Sequence, residues 1–249
     1  MANFHNAKWF HNELQRHWDQ AQEYLGNQEI IAVLYYGSAN YNCETENSDC
    51  DTWIIYVDKE YNPNTYLIKQ EEFGDETVWL ADIHAFIYGL LNGDWPYISA
   101  LCTQYKIINP KYEGLWHELY AKRDRLAYAD TENTCAKLRQ TAVEKFQRLQ
   151  SSPDDLRPKP LYHLKIMQLM YLHYLQKKPI TSFFNNEETA QQLLEIKHLN
   201  CVEHNQLLQI GKELLQTMFA EDLPQLSMAT REAITVETLK LLQRFEALK

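Results

Sequence analysis

Glycine and proline are scarce in this 249-residue chain, at 7 and 8, against 16 tyrosines and 6 tryptophans. That balance excludes a low-complexity or disordered protein, because so much aromatic surface has to be buried somewhere. No run of about 18 apolar residues occurs, so a membrane-spanning helix is not expected. The start, Met1-Ala2-Asn3-Phe4-His5, lacks the basic and apolar stretches of a secretion signal, which makes a cytoplasmic location the expectation. The five cysteines (Cys43, Cys50, Cys102, Cys135, Cys201) are odd in number, widely spaced and without a C-x-x-C pair. Neither a disulfide framework nor a zinc knuckle is suggested, and reduced, mostly buried thiols are expected.

Positive charge is short too. The net charge is −10, which disfavours non-specific attraction to nucleic acid or anionic membranes. Its distribution is uneven: residues 1–120 carry 6 Lys/Arg against 18 Asp/Glu, whereas residues 121–165 carry 10 against 6. An acidic first part followed by a basic segment suits a site in which carboxylates hold a metal and cations hold phosphates. A solvated charge run explains the same numbers.

What is present reads as a mixed α+β protein. Phe10, Leu14, Trp18, Ala21 and Leu25 lie at helical spacing, with Gly26 as a stop. The run Ile30-Ile31-Ala32-Val33-Leu34-Tyr35-Tyr36 predicts a strand buried on both faces, and Asp49-Cys50-Asp51-Thr52-Trp53-Ile54-Ile55-Tyr56-Val57 a second. Asn62-Pro63-Asn64 marks a turn. Thr77–Asp82 predicts a third strand, followed by a helix from Ile83 to Asn92. Beyond Thr131 the pattern is helical only, over about 131–150, 159–177, 187–198, 202–219 and 230–248. A small mixed sheet with flanking helices over residues 1–125, then an all-helical domain over 126–249, is the expected organisation.

Chemistry concentrates at two short motifs. Asp49-x-Asp51 places two carboxylates on one face of this second strand, a half-site for magnesium with substrate phosphate oxygens as further ligands. Gly37-Ser38 ends the first strand, where a glycine lets the backbone approach an anion and the Ser38 hydroxyl can bind it. Ten residues separate Ser38 from Asp49, enough to turn and return beside the first strand. Asp82, among Val78, Trp79, Leu80 and Ile83, is the candidate third carboxylate, since an unpartnered carboxylate there is costly. Its alternative is to cap the helix that begins at Ile83.

Gly37-Ser38, ten residues, then Asp49-x-Asp51 resembles the G-S…D-x-D signature of the DNA polymerase beta-like nucleotidyltransferase superfamily. Gly37–Asn42 and Ser48–Thr52 look most like the predicted nucleotidyltransferases of bacteria and phages. Where those carry a second glycine this chain has Asn42, the next most tolerant of positive φ. The resemblance covers residues 30–85 and, more loosely, the chain to about 165, where such proteins place a lysine and a histidine on a helix. Lys159 and His163, four apart, match that pair; at the position of a following arginine stands Ile166. The resemblance implies transfer of a nucleoside monophosphate from a nucleoside triphosphate, ATP by expectation, to an acceptor hydroxyl, with pyrophosphate released. Asp49, Asp51 and Asp82 would hold two Mg2+ ions and serve catalysis, and Gly37, Ser38, Lys159 and His163 would bind the nucleotide. The expected acceptor is a small molecule or a protein side chain, with a tRNA end as the alternative. Two rival readings are a non-catalytic, nucleotide-sensing or antitoxin-like protein on the same fold, and a helical ribonuclease built on Arg157 and His163.

Overall fold

The computed structural model describes residues 5–46, 48–58, 68–73, 76–151, 158–184, 186–199, 202–220 and 228–248. The Asn62-Pro63-Asn64 turn, Arg157 and Cys201 lie outside them. The chain divides into two compact units, residues 1–129 with 227–249, and residues 130–226.

The first unit opens with α1 (Ala7–Leu25), where the pattern predicts it. The Asn6 side chain accepts the Trp9 N–H at its start, and Gly26, at φ 61°, closes its end by donating to Gln22 O. Then follow β1 (Glu29–Tyr35), a short 3-10 helix (Ser38–Tyr41), β2 (Thr52–Val57), β3 (Ile68–Phe73), β4 (Glu76–Asp82), α2 (Ile83–Leu91), α3 (Trp95–Cys102), β5 (Lys106–Ile108), α4 (Glu113–Ala121) and α5 (Arg123–Ala127). The strands form one mixed sheet in the order β3-β4-β2-β1-β5. β2 and β4 run parallel, with Thr52 opposite Val78 and Tyr56 opposite Asp82. The other three pairings are antiparallel.

Alternation along the strands assigns two faces. Val33, Tyr35, Ile54, Tyr56, Val78 and Leu80 pack against Phe10, Leu14 and Ala21 of α1. Trp53 and Trp79 point the other way and stack at 5.7 Å, and Trp53 meets Tyr97 of α3 at 4.7 Å. A Cβ on Gly89 of α2 would lie 2.6 Å from the Tyr97 ring, so the approach of α2 to α3 needs a glycine there. β3, β5, α3, α4 and α5 were not anticipated.

The second unit is helical as expected, with α6 (Thr131–Ser151), α7 (Lys159–Leu175), α8 (Thr181–Phe184), α9 (Glu187–Lys197) and α10 (His204–Phe219). Leu138, Ala142, Leu164, Tyr171, Leu193 and Met218 are among its buried residues. Arg139 of α6 ties the bundle together by donating to Met218 O on α10 and to the Tyr171 hydroxyl on α7. Among the described residues, no helix is long and apolar enough to cross a membrane.

The last helix, α11 (Met228–Glu246), departs from the expected division at residue 125, because it belongs to the first unit. Its buried stripe Ile234, Thr238, Leu241, Leu242 and Phe245 has helical spacing, and Phe245 stacks on Tyr112 just ahead of α4. Arg244 pairs with Glu118, and Glu237 with Arg125. Glu246 reaches His84 Nε2 at 2.8 Å, while His84 Nδ1 lies 2.5 Å from Asp82 Oδ1.

With a carboxylate at each ring nitrogen, His84 satisfies both contacts only as imidazolium, a donor at both ends. Burial opposes that charge, but the hydrogen bonds and charges of Asp82 and Glu246 outweigh it and raise the His84 pKa. A pKa raised on folding contributes stability fully present below the unfolded value of about 6.5 and lost as pH rises through the folded value. Denaturant unfolding of wild type is expected to lose this contribution above pH 6.5. His84→Gln should flatten the difference; equal pH slopes for the two proteins would show that His84 is not charged in the fold.

Candidate functional site

The site residues are held at the end of β1 and the beginning of β2, which the antiparallel pairing places side by side. Gly37 leaves β1 with extended backbone and caps the 3-10 helix. Space, not φ, selects this glycine: a Cβ would lie 2.5 Å from the Tyr35 phenol oxygen. That hydroxyl accepts the Ala39 N–H at 3.2 Å. Buried Asn40 fixes the turn further, donating to Tyr35 O and accepting from the Thr103 hydroxyl at 2.7 Å. Asn42 leaves the helix at φ 52°, the left-handed conformation that asparagine tolerates.

The chain then returns to its own start. Ser38 Oγ lies 3.1 Å from Ser48 Oγ, which also accepts the Thr45 N–H. Ser38 is thereby brought next to Asp49. The strand expected from Asp49 begins only at Thr52, so Asp49 and Asp51 sit in the loop that enters β2 and strand alternation does not set their facing. Asp49 is exposed and Asp51 half-buried. Asp51 O accepts the Tyr36 N–H at 2.7 Å, and Asp51 Oδ1 accepts the Thr77 N–H at 2.9 Å. Burial first, and then the Asp51 charge, push the Tyr36 phenol up to about 12. It stays protonated at neutral pH and can only donate towards an anion. Gly37, Ser38, Asp49 and Asp51 therefore share one end of the sheet.

Asp82 does not join them. In the parallel β2–β4 register Asp82 stands opposite Tyr56, whereas Asp51 stands beside Thr77. The two are five positions apart, about 16 Å at roughly 3.3 Å per residue. Asp82 caps α2 instead: Oδ1 accepts the His84 N–H at 2.8 Å and Oδ2 the Asp58 N–H at 3.0 Å. The burial that marked it as a site residue is satisfied by the cap and the imidazole. On the Asp51 face β4 offers Thr77 and Trp79 in place of a carboxylate. Among the described residues, no three His, Cys, Asp or Glu are grouped to hold a metal.

Glu76 and His17 escaped the sequence reading. Glu76 opens β4 and accepts the Cys50 N–H between the two aspartates. His17, fully buried on α1, lies 3.0 Å from Glu76 and 2.8 Å from the Thr52 hydroxyl. The available signal was a histidine on the apolar face of α1, between Leu14 and Ala21.

Lys159 and His163 lie in the second unit. Lys159 opens α7 and is exposed. Burial, and then Lys145, Lys159, Lys197 and Arg148, depress the His163 pKa to about 4, so its imidazole is neutral at pH 7. These cations come from α6, α7 and α9, which makes this face of the unit basic without any charge from the histidine.

No protein-family profile matches the chain, and no curated protein does. The crystal structure of a nucleotidyltransferase-like protein from Exiguobacterium sibiricum 255-15 is similar at 10% identity, over 94% of this chain and 90% of that one. Its TM-score is 0.30, an overlap too slight to carry an argument.

Gly37→Ala is expected to destabilise the first unit by about 1–3 kcal/mol, the usual cost of overpacking. Adding Tyr35→Phe, which removes the atom nearest the new methyl, should recover part of the loss. Denaturant midpoints decide the matter: a Gly37→Ala protein as stable as wild type would remove the steric reason for this glycine.

Proposed function

We propose that the Gly37–Asp51 corner binds a magnesium–nucleoside triphosphate and transfers its nucleoside monophosphate to an acceptor hydroxyl. One observation carries this reading: the Ser38–Ser48 contact closes the loop so that a phosphate-gripping turn and two carboxylates meet at one end of the β1–β2 pair. The donors suit the ion. Magnesium takes hard oxygen ligands and keeps positions open for substrate phosphates. Asp49 and Asp51 would hold it, with Asp51 Oδ1 already fixed by the Thr77 amide. When bound, the ion supplies charge neutralisation at the phosphates.

The remaining work falls to positioning. The close backbone at Gly37 would hold phosphate oxygens, joined by the Ser38 hydroxyl where it turns its proton from Ser48 to them, and the protonated Tyr36 phenol adds no negative charge beside Asp51. The bond between the α-phosphorus and its bridging oxygen breaks as the acceptor oxygen forms its own bond to phosphorus and releases its proton to solvent, and pyrophosphate leaves. Holding these groups in line lowers the barrier without covalent help from the protein. A hydroxyl of a small molecule or a protein suits an acidic chain better than a long polynucleotide does.

A second reading is nucleotide binding without transfer. It is favoured by Thr77 and Trp79 standing where a third carboxylate would face Asp51, which leaves ligands for one ion better provided than for two. Calorimetric titration with ATP, with and without Mg2+, separates the readings together with incubation of α-labelled ATP in cell extract. Transfer predicts metal-dependent binding and a labelled acceptor, both reduced about a hundredfold or more by Asp51→Asn in a protein that still folds. Metal-dependent binding with no labelled product supports the sensor; full turnover by Asp51→Asn would sink both.

A further inference from the structure

Resting on the metal-site reading above, we infer that Glu76, held by Arg16 and His17 of α1, is the positioning residue that fixes the backbone between Asp49 and Asp51 for their cation. The start of β4 grips the loop from both sides. The Thr77 amide donates to the Asp51 carboxylate on one face of the sheet, and the Glu76 carboxylate accepts the Cys50 N–H at 3.3 Å on the other. Two adjacent residues of β4 thus hold two adjacent residues of the loop. The Asp51 carboxylate cannot swing without breaking the Thr77 bond, and the Glu76 bond holds the backbone between the two aspartates.

Glu76 is itself held. Its Oε2 accepts from Arg16 Nη2 and from His17 Nε2 at 3.0 Å. Burial raises the Glu76 pKa, but its bonds to Arg16 and His17 outweigh that and bring it below the usual carboxylate value. Burial dominates at His17 and lowers its pKa, leaving it neutral. An ionised carboxylate accepts only, so His17 donates from Nε2 and its Nδ1 accepts from the Thr52 hydroxyl, the first residue of β2. The path runs from α1 through Glu76 to Cys50, and from α1 through His17 to Thr52. Both ends of the Cys50–Thr52 segment are therefore referenced to one rigid helix. Such partners behind a metal's ligands typically change metal affinity by about 10–100-fold when removed.

Glutamine cannot replace this residue. Glu76 accepts on both oxygens, whereas Gln must turn an NH2 towards either Cys50 N–H or the Arg16–His17 donors. Glu76→Gln is therefore expected to fold, by circular dichroism, yet to bind Mn2+ about tenfold more weakly when the free ion is followed by electron paramagnetic resonance without nucleotide. Its Cys50 amide should exchange with solvent faster than in wild type. Arg16→Gln, on a half-exposed residue, keeps the carboxylate and should shift Mn2+ affinity in the same direction by about two- to threefold, which reads the inference even where Glu76→Gln fails to fold. A folded Glu76→Gln protein with wild-type Mn2+ affinity and wild-type Cys50 exchange overturns it. Wild type that takes up no Mn2+ overturns the metal-site reading instead, and Cys50 exchange then still decides whether Glu76 holds the loop.

Discussion

The parallel pairing of β2 with β4 is the constraint on which the first unit turns. Its register puts Glu76 and Thr77 beside Cys50 and Asp51, so that the loop carrying the aspartates is held by the start of the neighbouring strand. The same register sends Asp82 to the far end, where it starts α2. In an antiparallel pairing, the end of β4 would lie beside the start of β2, and Asp82 would stand near Asp51. One choice of strand direction thus decides which acidic residue of β4 can influence the site.

The sheet also separates two environments for those acids. On the α1 face, Glu76 is surrounded by donors: Arg16, His17 and the Cys50 amide. On the other face, Asp51 lies near an aromatic group, with Tyr36 against Trp79 at 5.1 Å and Trp79 stacked on Trp53. Aromatic surroundings lower the local dielectric and strengthen any charge interaction made there. The same burial, with the Asp51 charge, raises the Tyr36 pKa. A cation at Asp51 would feel a stronger field than one at an exposed pair, and the donors behind the sheet keep Glu76 from competing for it.

Much of this was legible in the sequence, for local reasons. The first helix, the two leading strands and the helix from Ile83 follow from apolar spacing and from Gly26, whose effect is confined to neighbouring residues. Gly37 and Ser38 were legible because a strand that stops at a glycine leaves few conformations, and Asn42 because positive φ restricts residue choice. β3 and β5 were not legible. β3, which contains Lys69, Gln70, Glu71 and Glu72, is an edge strand whose polar residues carry no apolar alternation, and β5 is only three residues long. The return of α11 to the first unit was hidden as well, because a stripe such as Ile234-Thr238-Leu241-Phe245 shows that a helix buries one face without showing against what.

Asp82 shows where the reasoning from burial reaches its limit. A carboxylate among Val78, Leu80 and Ile83 must have partners, and that inference held: two backbone amides and an imidazole surround it. The cost of burial sets how much partnership is needed, about as much for a cap and an imidazolium as for a metal ion, and so cannot choose between them. The choice depends on Glu246, 162 residues beyond His84, which stabilises the charged ring from the other side. That second carboxylate lets His84 serve as a cation inside the unit and makes a metal at Asp82 unnecessary. It also makes the last turn of α11 part of what holds β4 and α2 together. The acidity of residues 1–120 is accordingly not one reservoir of metal ligands. Asp49 and Asp51 face the open end of the sheet, Glu76 is absorbed by α1, and Asp82 is absorbed by the fold's own imidazolium.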